Sequence, residues 1–591
     1  MKTRRKNATA RRASQHSRPP SFLKPLFGLG AVLALAVSFA LTLFKWTNDD
    51  PIGLYHHAGS FVNWDTRREK VKSAFITSWN AYSANAWGYD RYHPVSEKGS
   101  QMSPDGLGWI IVDSLDTIML MNLTDSLAEP RKWLQRKLNY DQDQDVNTFE
   151  TTIRMLGGLL SAHYLSTKLP DTASRRDSVY LAKAVELADR LLPAYESRSG
   201  IPYASVHLSK AKGLISHADG GSSSTAEAAT LQLEMKYLSH LTGNDTYWRK
   251  AERVMKVLSD NHAEDGLVPI FVHPESGRFT SREIRLGSRG DSYYEYLVKQ
   301  FLQTSGQEPV YLEMWEEALE GIEKHLITTT KHSGLKFVAE LPQGIGGPLS
   351  PKMDHLACFL PGLIAIGATR GHTLSEARTW SSWDDKKEDQ IQLARDLMKT
   401  CWGMYAVTKT GLAPEIAWFH ADEEDLRPTP GDRPLAPTKN SLAAWKRDYV
   451  VKPLDAHNLQ RPETVESLFV MWRITEDPLY REWGWKIFNA FERHTKLSPK
   501  QGYTSVNDVN AIPPPPRDNM ESFWLVGHGE TFLLQDESLH DIVFQAETLK
   551  YLYLLFSPND FIPLTEVVFN TEAHIFPVLS KVKWKTGWSR G

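Results

Sequence analysis

The sequence contains only two cysteines, Cys358 and Cys401, among 591 residues. Two thiols cannot complete a four-ligand zinc site, and no HExxH motif is present to supply a catalytic one. In an oxidising compartment such a pair favours a disulfide over two free thiols. The disulfide would close a loop of 43 residues and would stabilise the fold by roughly 4 kcal/mol in the chain-entropy model.

The sequence also lacks the sustained alternation of polar and apolar residues that is typical of strands. It contains no linker that would divide the chain into domains and no strict short repeat. Apolar residues instead recur at three- and four-residue spacing, which predicts helices, and Gly, Pro, Asn and Asp clusters separate them. The sequence therefore predicts one large domain of paired helices, with short hairpins such as 271–280 and loops at 420–440 and 513–516. The predicted helices are Glu150–Ser166, Ser178–Tyr195, Ser224–Leu241, Thr246–Asn261, Asp291–Thr304, Val310–Ile327, Asp389–Tyr405, Glu463–Thr475 and Pro478–Thr495.

The N-terminal region lacks acidic residues. Residues 1–24 carry eight Lys or Arg, and residues 25–44 carry no charge at all. Twenty apolar residues can cross a bilayer core of about 30 Å, and the basic flank should stay in the cytosol. We therefore predict a cytosolic tail (1–24), a transmembrane signal anchor (25–44), a luminal stem (45–65) and a luminal catalytic domain (66–591). A cleaved signal peptide is the alternative, but the apolar run is long for one and no clear cleavage site follows it.

The rest of the chain has no basic excess. After residue 44 it contains 60 Lys and Arg against 71 Asp and Glu, a net charge of −11, which argues against a nucleic-acid partner. Asn122-Leu-Thr124 and Asn244-Asp-Thr246 are glycosylation sequons on the predicted luminal side, whereas Asn7-Ala-Thr9 would be cytosolic and unused. We expect a glycoprotein that is held to the membrane by one helix.

Six short blocks each place an acid beside an aromatic ring, an arginine or a Gly/Pro turn. Acid–base hydrolysis needs paired carboxylates, and sugar hydroxyls need many hydrogen-bonding partners. Several such loops converging on one acidic pocket would supply both. The blocks are FETTIR (Phe149–Arg154), GSRGDSYYEY (Gly287–Tyr296), APEI (Ala413–Ile416), RPETVES (Arg461–Ser467), MESFW (Met520–Trp524) and FNTEAH (Phe569–His574).

Capping is the structural alternative for each of these acids. Glu150 follows Asn147-Thr148, Asp291 follows a Gly287-x-x-Gly290 turn and is expected to cap the next helix, and Glu463 follows a proline. Acids are favoured at helix N-termini by capping and by the helix dipole. The functional interpretation is therefore collective: in a ring of paired helices, alternate helix ends face one mouth, so that acids at many helix starts can surround one cavity.

The blocks, in this order, resemble glycoside hydrolase family 47, the class I α-1,2-mannosidases. The resemblance covers Thr66 to Val578 and includes VDSLDT (Val112–Thr117), the segment Phe149–Ser166, LQLEMKYLSHLTG (Leu231–Gly243) and HLACFLPG (His355–Gly362). It implies an all-α fold, an (α/α)7 barrel of paired helices with short β-hairpins. It also implies calcium-dependent, inverting hydrolysis of terminal α-1,2-linked mannose from high-mannose N-glycans.

The resemblance carries catalytic roles onto matching acids. Glu150 is similar to the general acid, acting directly or through a water. Glu463 and Asp291 are both candidates for the base that activates the nucleophilic water, and Glu415 matches a further pocket carboxylate that has been called catalytic in the family. An inverting enzyme keeps its two carboxyl groups roughly 6.5–9.5 Å apart to admit that water.

The remaining site residues follow from the same resemblance. Thr571 is similar to the only direct protein ligand of the calcium ion, which takes 6–8 oxygen ligands. Four carboxylates resemble those that hold the surrounding waters: Asp113, Glu466, Glu521 and Glu572. Five residues resemble glycan contacts: Arg154, Arg289, His355, Arg461 and Phe523. Cys358 and Cys401 match the disulfide pair of the family.

Arg289 favours the endoplasmic-reticulum type of the family over the Golgi type, which has Leu at the matching position. An arginine can direct several hydrogen bonds to one glycan branch, so it should restrict cleavage to a single mannose. Its alternative role is a plain ion pair with a neighbouring acid. For the whole protein, the alternative function is a glycan-binding degradation factor on the same fold, with little turnover.

Residues 526–545 separate two halves that are continuous in the resembling family, MESFWL and AETLKYLYLLF. Joining Leu525 to Ala546 brings Leu549, Leu552 and Phe556 onto the apolar stripe of one helix. A valine codon begins with GT and a glutamine codon can end in AG, the two intron boundary signals. We therefore predict a retained in-frame intron that is absent from the working enzyme; a genuine surface loop is the alternative.

Overall fold

Polar side chains fix where several of the helices begin. Asn63, Asn147 and Asp477 accept hydrogen bonds from the backbone amides of Thr66, Glu150 and Leu479, at distances of 2.8–3.0 Å. Such caps satisfy backbone N–H groups that lack a partner within the helix. The connection that carries the FETTIR block therefore leads into its helix at a fixed position.

The computed structural model describes residues 62–102, 104–424, 426–427, 444–520 and 547–590, which all belong to one compact unit. Its α-helices are α1 Trp64–Asn85, α2 Trp109–Asp113, α3 Leu115–Leu120, α4 Ala128–Arg136, α5 Thr148–Glu150, α6 Gly157–Lys168, α7 Ser178–Leu191, α8 Thr225–Ala229, α9 Gln232–Thr242, α10 Asp245–Ser259, α11 Asp291–Gln303, α12 Pro309–His325, α13 Leu360–Thr369, α14 Leu374–Ala377, α15 Asp385–Ala406, α16 Glu463–Thr475, α17 Pro478–His494 and α18 Thr548–Phe556. The described part of the chain is thus mainly helical.

The helices pack in a closed order of neighbours. Inner helices contact one another in the sequence α3, α6, α9, α11, α13, α16 and α18. A buried ion pair between Lys550 of α18 and Asp116 of α3, 2.9 Å apart, joins the last of these helices to the first. Most inner helices have a second helix packed behind them, as α7 lies behind α6 and α12 behind α11. The inner helices are buried over most of their surface; in α11, for example, every residue after Asp291 is buried.

Short antiparallel strands connect the helices. They form sheets in the orders β1-β2, β3-β4-β5, β6-β7, β8-β9, β10-β11-β12 and β13-β14. The strands are β1 Arg91–His93, β2 Lys98–Ser100, β3 Asp145–Asn147, β4 Ser205–His207, β5 Lys212–Leu214, β6 Ser223–Ser224, β7 Phe271–Val272, β8 Ile327–Thr329, β9 Lys336–Val338, β10 Lys352–Asp354, β11 Ile416–Phe419, β12 Tyr449–Val450, β13 Val567–Phe569 and β14 Ile575–Pro577. The predicted hairpin at 271–280 is present, since Val272 pairs with Phe279.

The β13–β14 hairpin lies inside the ring of helices. Strand β13 packs against α11 and β14 against α6. Asn570, in the turn of the hairpin, donates from Nδ2 to the carbonyl oxygen of Ile153 at 2.8 Å and to Oε1 of Glu234 on α9 at 2.7 Å. The turn is therefore held by several of the helices that surround it.

The structure confirms the predicted helices, with three corrections. The continuous helix predicted over Ser224–Leu241 is wrong: α8 ends at Ala229 and α9 begins at Gln232, and the Thr230 hydroxyl between them bonds Ala226 O at 2.6 Å and Ser292 Oγ at 2.8 Å. The helix from Glu150 includes a π-helical stretch, Thr151–Leu156. Asp291 is the first residue of α11 and not its cap, which is Gly290.

Several predictions fall on residues outside the described ranges. They include the signal anchor (25–44), most of the loop at 420–440 and the suspected insertion (526–545). Within the described ranges, no helix is both long enough and apolar enough to cross a membrane.

Candidate active site

One cavity collects predicted site residues from distant parts of the chain. Glu150, Asp291, Glu466 and Thr571 all line it, although 421 positions separate the first from the last. The other lining residues are Phe149, Ala226, Glu227, Ser292, Glu295, Leu356 and Phe359. Four of the six predicted acidic blocks therefore contribute residues to one pocket.

Glu150 and Arg154 form an ion pair at the start of the π-helical stretch. Glu150 is the last residue of α5, and Arg154 lies one turn further on, with its Nε bonded to the Glu150 carboxylate. Arg154 is 1% exposed, and its Nη1 lies 3.6 Å from Oε2 of Glu572. One arginine thus holds two carboxylates on the same side of the site. Irregular π-helical turns of this kind are frequent at functional sites.

A second cluster joins Glu463, His355, Arg461 and Glu415. Nδ1 of His355 lies 2.7 Å from Oε2 of Glu463, and Nε2 of the same ring lies 3.0 Å from the Tyr405 hydroxyl. The Arg461 guanidinium binds the Glu415 carboxylate through Nε and Nη2, and its Nη1 lies 3.9 Å from Oε1 of Glu463. Burial opposes ionisation of Glu415, but the Arg461 charge outweighs it, so the pKa of Glu415 lies below its usual value.

Arg289 pairs with an acid, as its alternative role requires. Its Nη1 lies 2.8 Å from Oδ1 of Asp219, and both side chains are about 15% exposed. The guanidinium also lies over the Phe271 ring, 4.8 Å from its centroid. Asp219 in turn accepts a bond from the Ser216 hydroxyl at 2.9 Å. The ion pair with Asp219 therefore holds Arg289 in place, two residues before Asp291. This ion pair is compatible with the predicted contact of Arg289 to a glycan.

Thr571 lies in the β13–β14 turn at the cavity and is 8% exposed. Asn570 holds the turn, because its Oδ1 accepts bonds from the amides of Glu572 and His574, both at 2.8 Å. His574 contacts Asp116 at 2.8 Å and Asp113 at 3.4 Å. The predicted ligand and the predicted surrounding acids Asp113 and Glu572 are thus parts of one buried network.

Burial raises the pKa of several acids in this network. The pKa of Glu466 rises to about 7 despite Lys299, whose Nζ lies 3.3 Å away. The pKa of Glu572 lies well above its usual value because the side chain is fully buried, and the opposing charge of Arg154 does not compensate. Acids with such shifted pKa values cluster at functional sites more often than elsewhere.

The network leaves polar atoms without partners, and these fit a bound cation. Both carboxylate oxygens of Glu572 and Oδ2 of Asp113 are buried and make no hydrogen bond within the described residues. Buried oxygens of this kind are costly unless something satisfies them. A hydrated divalent cation bound at Thr571 would supply both the charge and the water donors. Among the described residues, no group of three or more His, Cys, Asp and Glu could ligate a metal ion directly.

The disulfide prediction is confirmed. Cys358 and Cys401 are bonded, with their Cα atoms 5.8 Å apart. The bond ties the 3₁₀ turn His355–Phe359, which carries His355 and two cavity-lining residues, to helix α15. It therefore fixes one wall of the site.

Sequence reasoning missed three acids of the site. Glu227 and Glu295 line the cavity, and Glu547 is buried beside Glu466 and Glu463, so that burial raises its pKa well above the usual value. In the sequence, Glu227 stands at the fourth position of Ser-Thr-Ala-Glu, a capping pattern, and Ser224 does cap α8. Glu547 is the second residue of the segment that rejoins MESFWL once residues 526–545 are removed. Its closeness to that predicted site block was the signal in the sequence. The predicted residues Glu521 and Phe523 lie outside the described residues.

The glycosyl hydrolase family 47 model matches residues 74–532 and 536–578. The chain belongs to this family. The match extends into the 526–545 segment from both sides. It therefore spans all the acids of the cavity and both cysteines.

Similar proteins agree with this membership. A mannosyl-oligosaccharide 1,2-alpha-mannosidase of Candida albicans is 49% identical over 89% of this chain and 86% of its own length. An endoplasmic reticulum mannosyl-oligosaccharide 1,2-alpha-mannosidase of Saccharomyces cerevisiae is 44% identical over 88% of this chain and 93% of its own. Among solved structures, the alpha-1,2-mannosidase of Trichoderma reesei matches with a TM-score of 0.73 and 28% identity, covering 87% of this chain and 99% of that one.

Proposed function

We propose that this glycosidase removes terminal α-1,2-linked mannose from high-mannose N-glycans, by inversion and with a bound calcium ion. The observation that carries the proposal is the convergence of Glu150, Asp291 and Glu466 with Thr571 on one cavity. The names of the family-47 relatives support the mannosidase activity and the mannosyl-oligosaccharide substrate. The order of helix contacts supports an (α/α)7 barrel, with the β13–β14 hairpin inside it.

Glu150 is the proposed general acid. It lines the cavity, where a glycosidic oxygen can reach it, and the Arg154 contact fixes its carboxylate. In inversion, the acid protonates the leaving oxygen while a base removes a proton from the attacking water on the opposite face of the sugar. Arg154 then stabilises the carboxylate that remains after proton transfer.

Glu463 is the proposed base, with Asp291 as the second candidate. His355 and Arg461 both contact Glu463 and orient its carboxylate. Arg461 also holds Glu415 and lowers its pKa, so we assign Glu415 the role of a fixed negative charge beside the base. Asp291 lines the cavity directly, which keeps it a candidate.

The calcium ion would be held by Thr571, through its hydroxyl and carbonyl oxygens, with Asp113, Glu466, Glu521 and Glu572 around its water ligands. When bound, it would orient the hydroxyl groups of the terminal sugar. The hard oxygen donors and the negative charge around them suit calcium. The need to neutralise buried acids supports the same assignment, since both carboxylate oxygens of Glu572 make no hydrogen bond within the described residues.

We further propose that the enzyme acts in the endoplasmic reticulum as a single-pass type II membrane protein. The basic tail and the uncharged run at 25–44 support that topology, and the name of the Saccharomyces cerevisiae relative supports the compartment. The Golgi is the alternative location.

The test uses the full chain in detergent and a nine-mannose glycan, with and without chelator. We expect release of α-1,2-linked mannose as the β-anomer, loss of release after chelation, and recovery when calcium is added back. Glu150→Gln is the matched control, which should bind the glycan without cleaving it. Tight binding with no mannose release by the unmodified chain would favour the alternative function, a glycan-binding degradation factor.

A further inference from the structure

A cleft of about 390 Å³ lies between helices α1 and α4, and none of its residues lines the active-site cavity. Its size suits a ligand of one or two sugar rings, since small-molecule sites span about 300–1,000 Å³. It is lined by Trp79, Asn80, Ser83, Trp87, Asp125, Ser126, Glu129 and Pro130.

Two indole rings form the apolar part of the cleft. Trp79 and Trp87 meet edge to face, with centroids 5.9 Å apart. Trp79 is 5% exposed and stacks on Phe75, so it is mainly a core residue. Trp87 is half-buried and offers accessible ring surface. An aromatic face bordered by polar groups can pack against the C–H face of a pyranose while its hydroxyls are hydrogen-bonded.

Polar side chains surround these rings, and two of them are exposed and available to a ligand. Asn80 and Asp125 are exposed, and neither side chain bonds to another described residue. Glu129 pairs with Lys132 on its own helix, at 3.2 Å. Because no basic residue lines the cleft, it suits a neutral ligand rich in hydroxyl and amide groups and not an anion.

A source of such a ligand adjoins the cleft. Asn122, in the sequon Asn122-Leu-Thr124, is exposed and directly follows the helix α3 and Met121. Asp125, which lines the cleft, comes three residues later. Tethering at this distance would give the first sugars an effective concentration in the millimolar range, so weak stacking and a few hydrogen bonds would be enough to hold them.

We propose that this cleft binds the core sugars of an N-linked glycan carried by Asn122. The inference depends on the proposed luminal location, because the glycan is added there, and it is independent of the proposed hydrolysis. The bound glycan would cover Trp87 and join the turn after α3 to helix α1.

The test compares two sequons of one protein, made as the full chain in a glycosylating eukaryotic host. An endoglycosidase is applied under native conditions, and glycopeptide mass spectrometry follows release at each site. We expect Trp87→Ala to speed release at Asn122 by about fivefold, the loss of one aromatic contact. Release at Asn244, whose neighbours do not line the cleft, should not change. Equal release rates at Asn122 in both proteins, or no glycan on Asn122, would overturn the proposal.

Asp125→Ala is the second variant, because it changes an exposed side chain and leaves the sequon intact. It should also speed release at Asn122. Both variants should keep the wild-type rate on an α-1,2-linked mannose disaccharide, which checks folding and separates this proposal from the one on hydrolysis.

A free-sugar arm identifies the source of the ligand. Saturation-transfer NMR on Asn122→Gln protein should detect weak binding of N,N′-diacetylchitobiose, and Trp87→Ala should abolish it. If a free nine-mannose glycan binds this cleft more tightly than chitobiose, the site serves a glycan supplied by another molecule, and the proposed source is wrong.

Discussion

Nδ1 of His355 lies 2.7 Å from Oε2 of Glu463, and both side chains are almost fully buried. The histidine is carried by the 3₁₀ turn at the disulfide, and the glutamate opens α16. An orienting contact of this kind to a carboxylate is what a general base requires, because its geometry must be set before its basicity matters.

Glu463→Gln should therefore lower kcat by about 10²- to 10⁴-fold, the usual contribution of a general base. The amide keeps the shape of the side chain, so KM should change little. Steady-state kinetics on the mannose disaccharide measure both constants. Asp291→Asn is the matched variant: if it loses activity and Glu463→Gln retains more than a tenth of it, Asp291 is the base.

Arg289→Leu should broaden trimming of a nine-mannose glycan to further mannoses, as measured by mass spectrometry of the released glycans. Asp219→Asn removes the charge that holds Arg289 at 2.8 Å and should broaden it less. An unchanged product pattern in Arg289→Leu would mean that this arginine acts only as the ion-pair partner of Asp219.

Thr571→Ala should weaken calcium binding at least tenfold and leave the calcium-free protein folded. The expected loss is large because Thr571 is the one proposed direct ligand, and the acids around it act through water. The measurement is the increase in Tm on adding calcium, which should largely disappear in the variant. Full activity of chelated wild-type protein would contradict the calcium requirement itself.

Glu234→Gln should change how stability depends on pH. Burial raises the pKa of Glu234 from 4.5 to about 7, so the folded state holds a proton that the unfolded state releases above about pH 4.5. This group therefore reduces stability as pH rises from about 4.5 to beyond 7, by about 3 kcal/mol at most. The glutamine has no charge to bury and can still accept bonds from Asn570 and Tyr296 through its oxygen.

Urea unfolding at pH 5 and pH 8, both with chelator, would measure this effect. The variant should gain stability relative to wild type between the two pH values. Parallel pH dependence in the two proteins would show that Glu234 does not carry the shift.

Deleting residues 526–545 should raise activity, because Glu547 and Lys550 of the following segment belong to the buried site network. The joined segment should form one helix that continues into α18. The kcat of the two proteins on the mannose disaccharide decides the effect. Mature messenger RNA that consistently retains all 60 nucleotides would refute the intron account, whatever the activity.

Helix positions could be predicted from the sequence because they depend on local patterns. The ends of α16 at Glu463 and Thr475 agree with the prediction, since Pro462 and the apolar period define them. The break between α8 and α9 could not be predicted, because a hydroxyl of another helix, that of Ser292, supports it. Local periodicity cannot report such a contact.

The site was predictable only to the extent that its motifs resembled a family. Thr571 has no local feature that indicates a metal ligand, and its surroundings come from elements far away in sequence. The ion pair of Asp116 with Lys550 spans 434 positions and is invisible to spacing rules. Glu227 was missed because its local pattern has a sufficient structural explanation as a capping residue.

The position of the β13–β14 hairpin has a consequence for the order of events during synthesis. Its turn is enclosed by helices from throughout the catalytic domain, yet residues 567–577 leave the ribosome after all of those helices. The earlier helices can pair as they emerge, but the pocket stays incomplete until the hairpin enters the ring. On the proposed role of Thr571, a nascent chain would gain activity only after this hairpin has been made, and a premature stop codon before Val567 would remove Thr571 while every acid upstream remained intact.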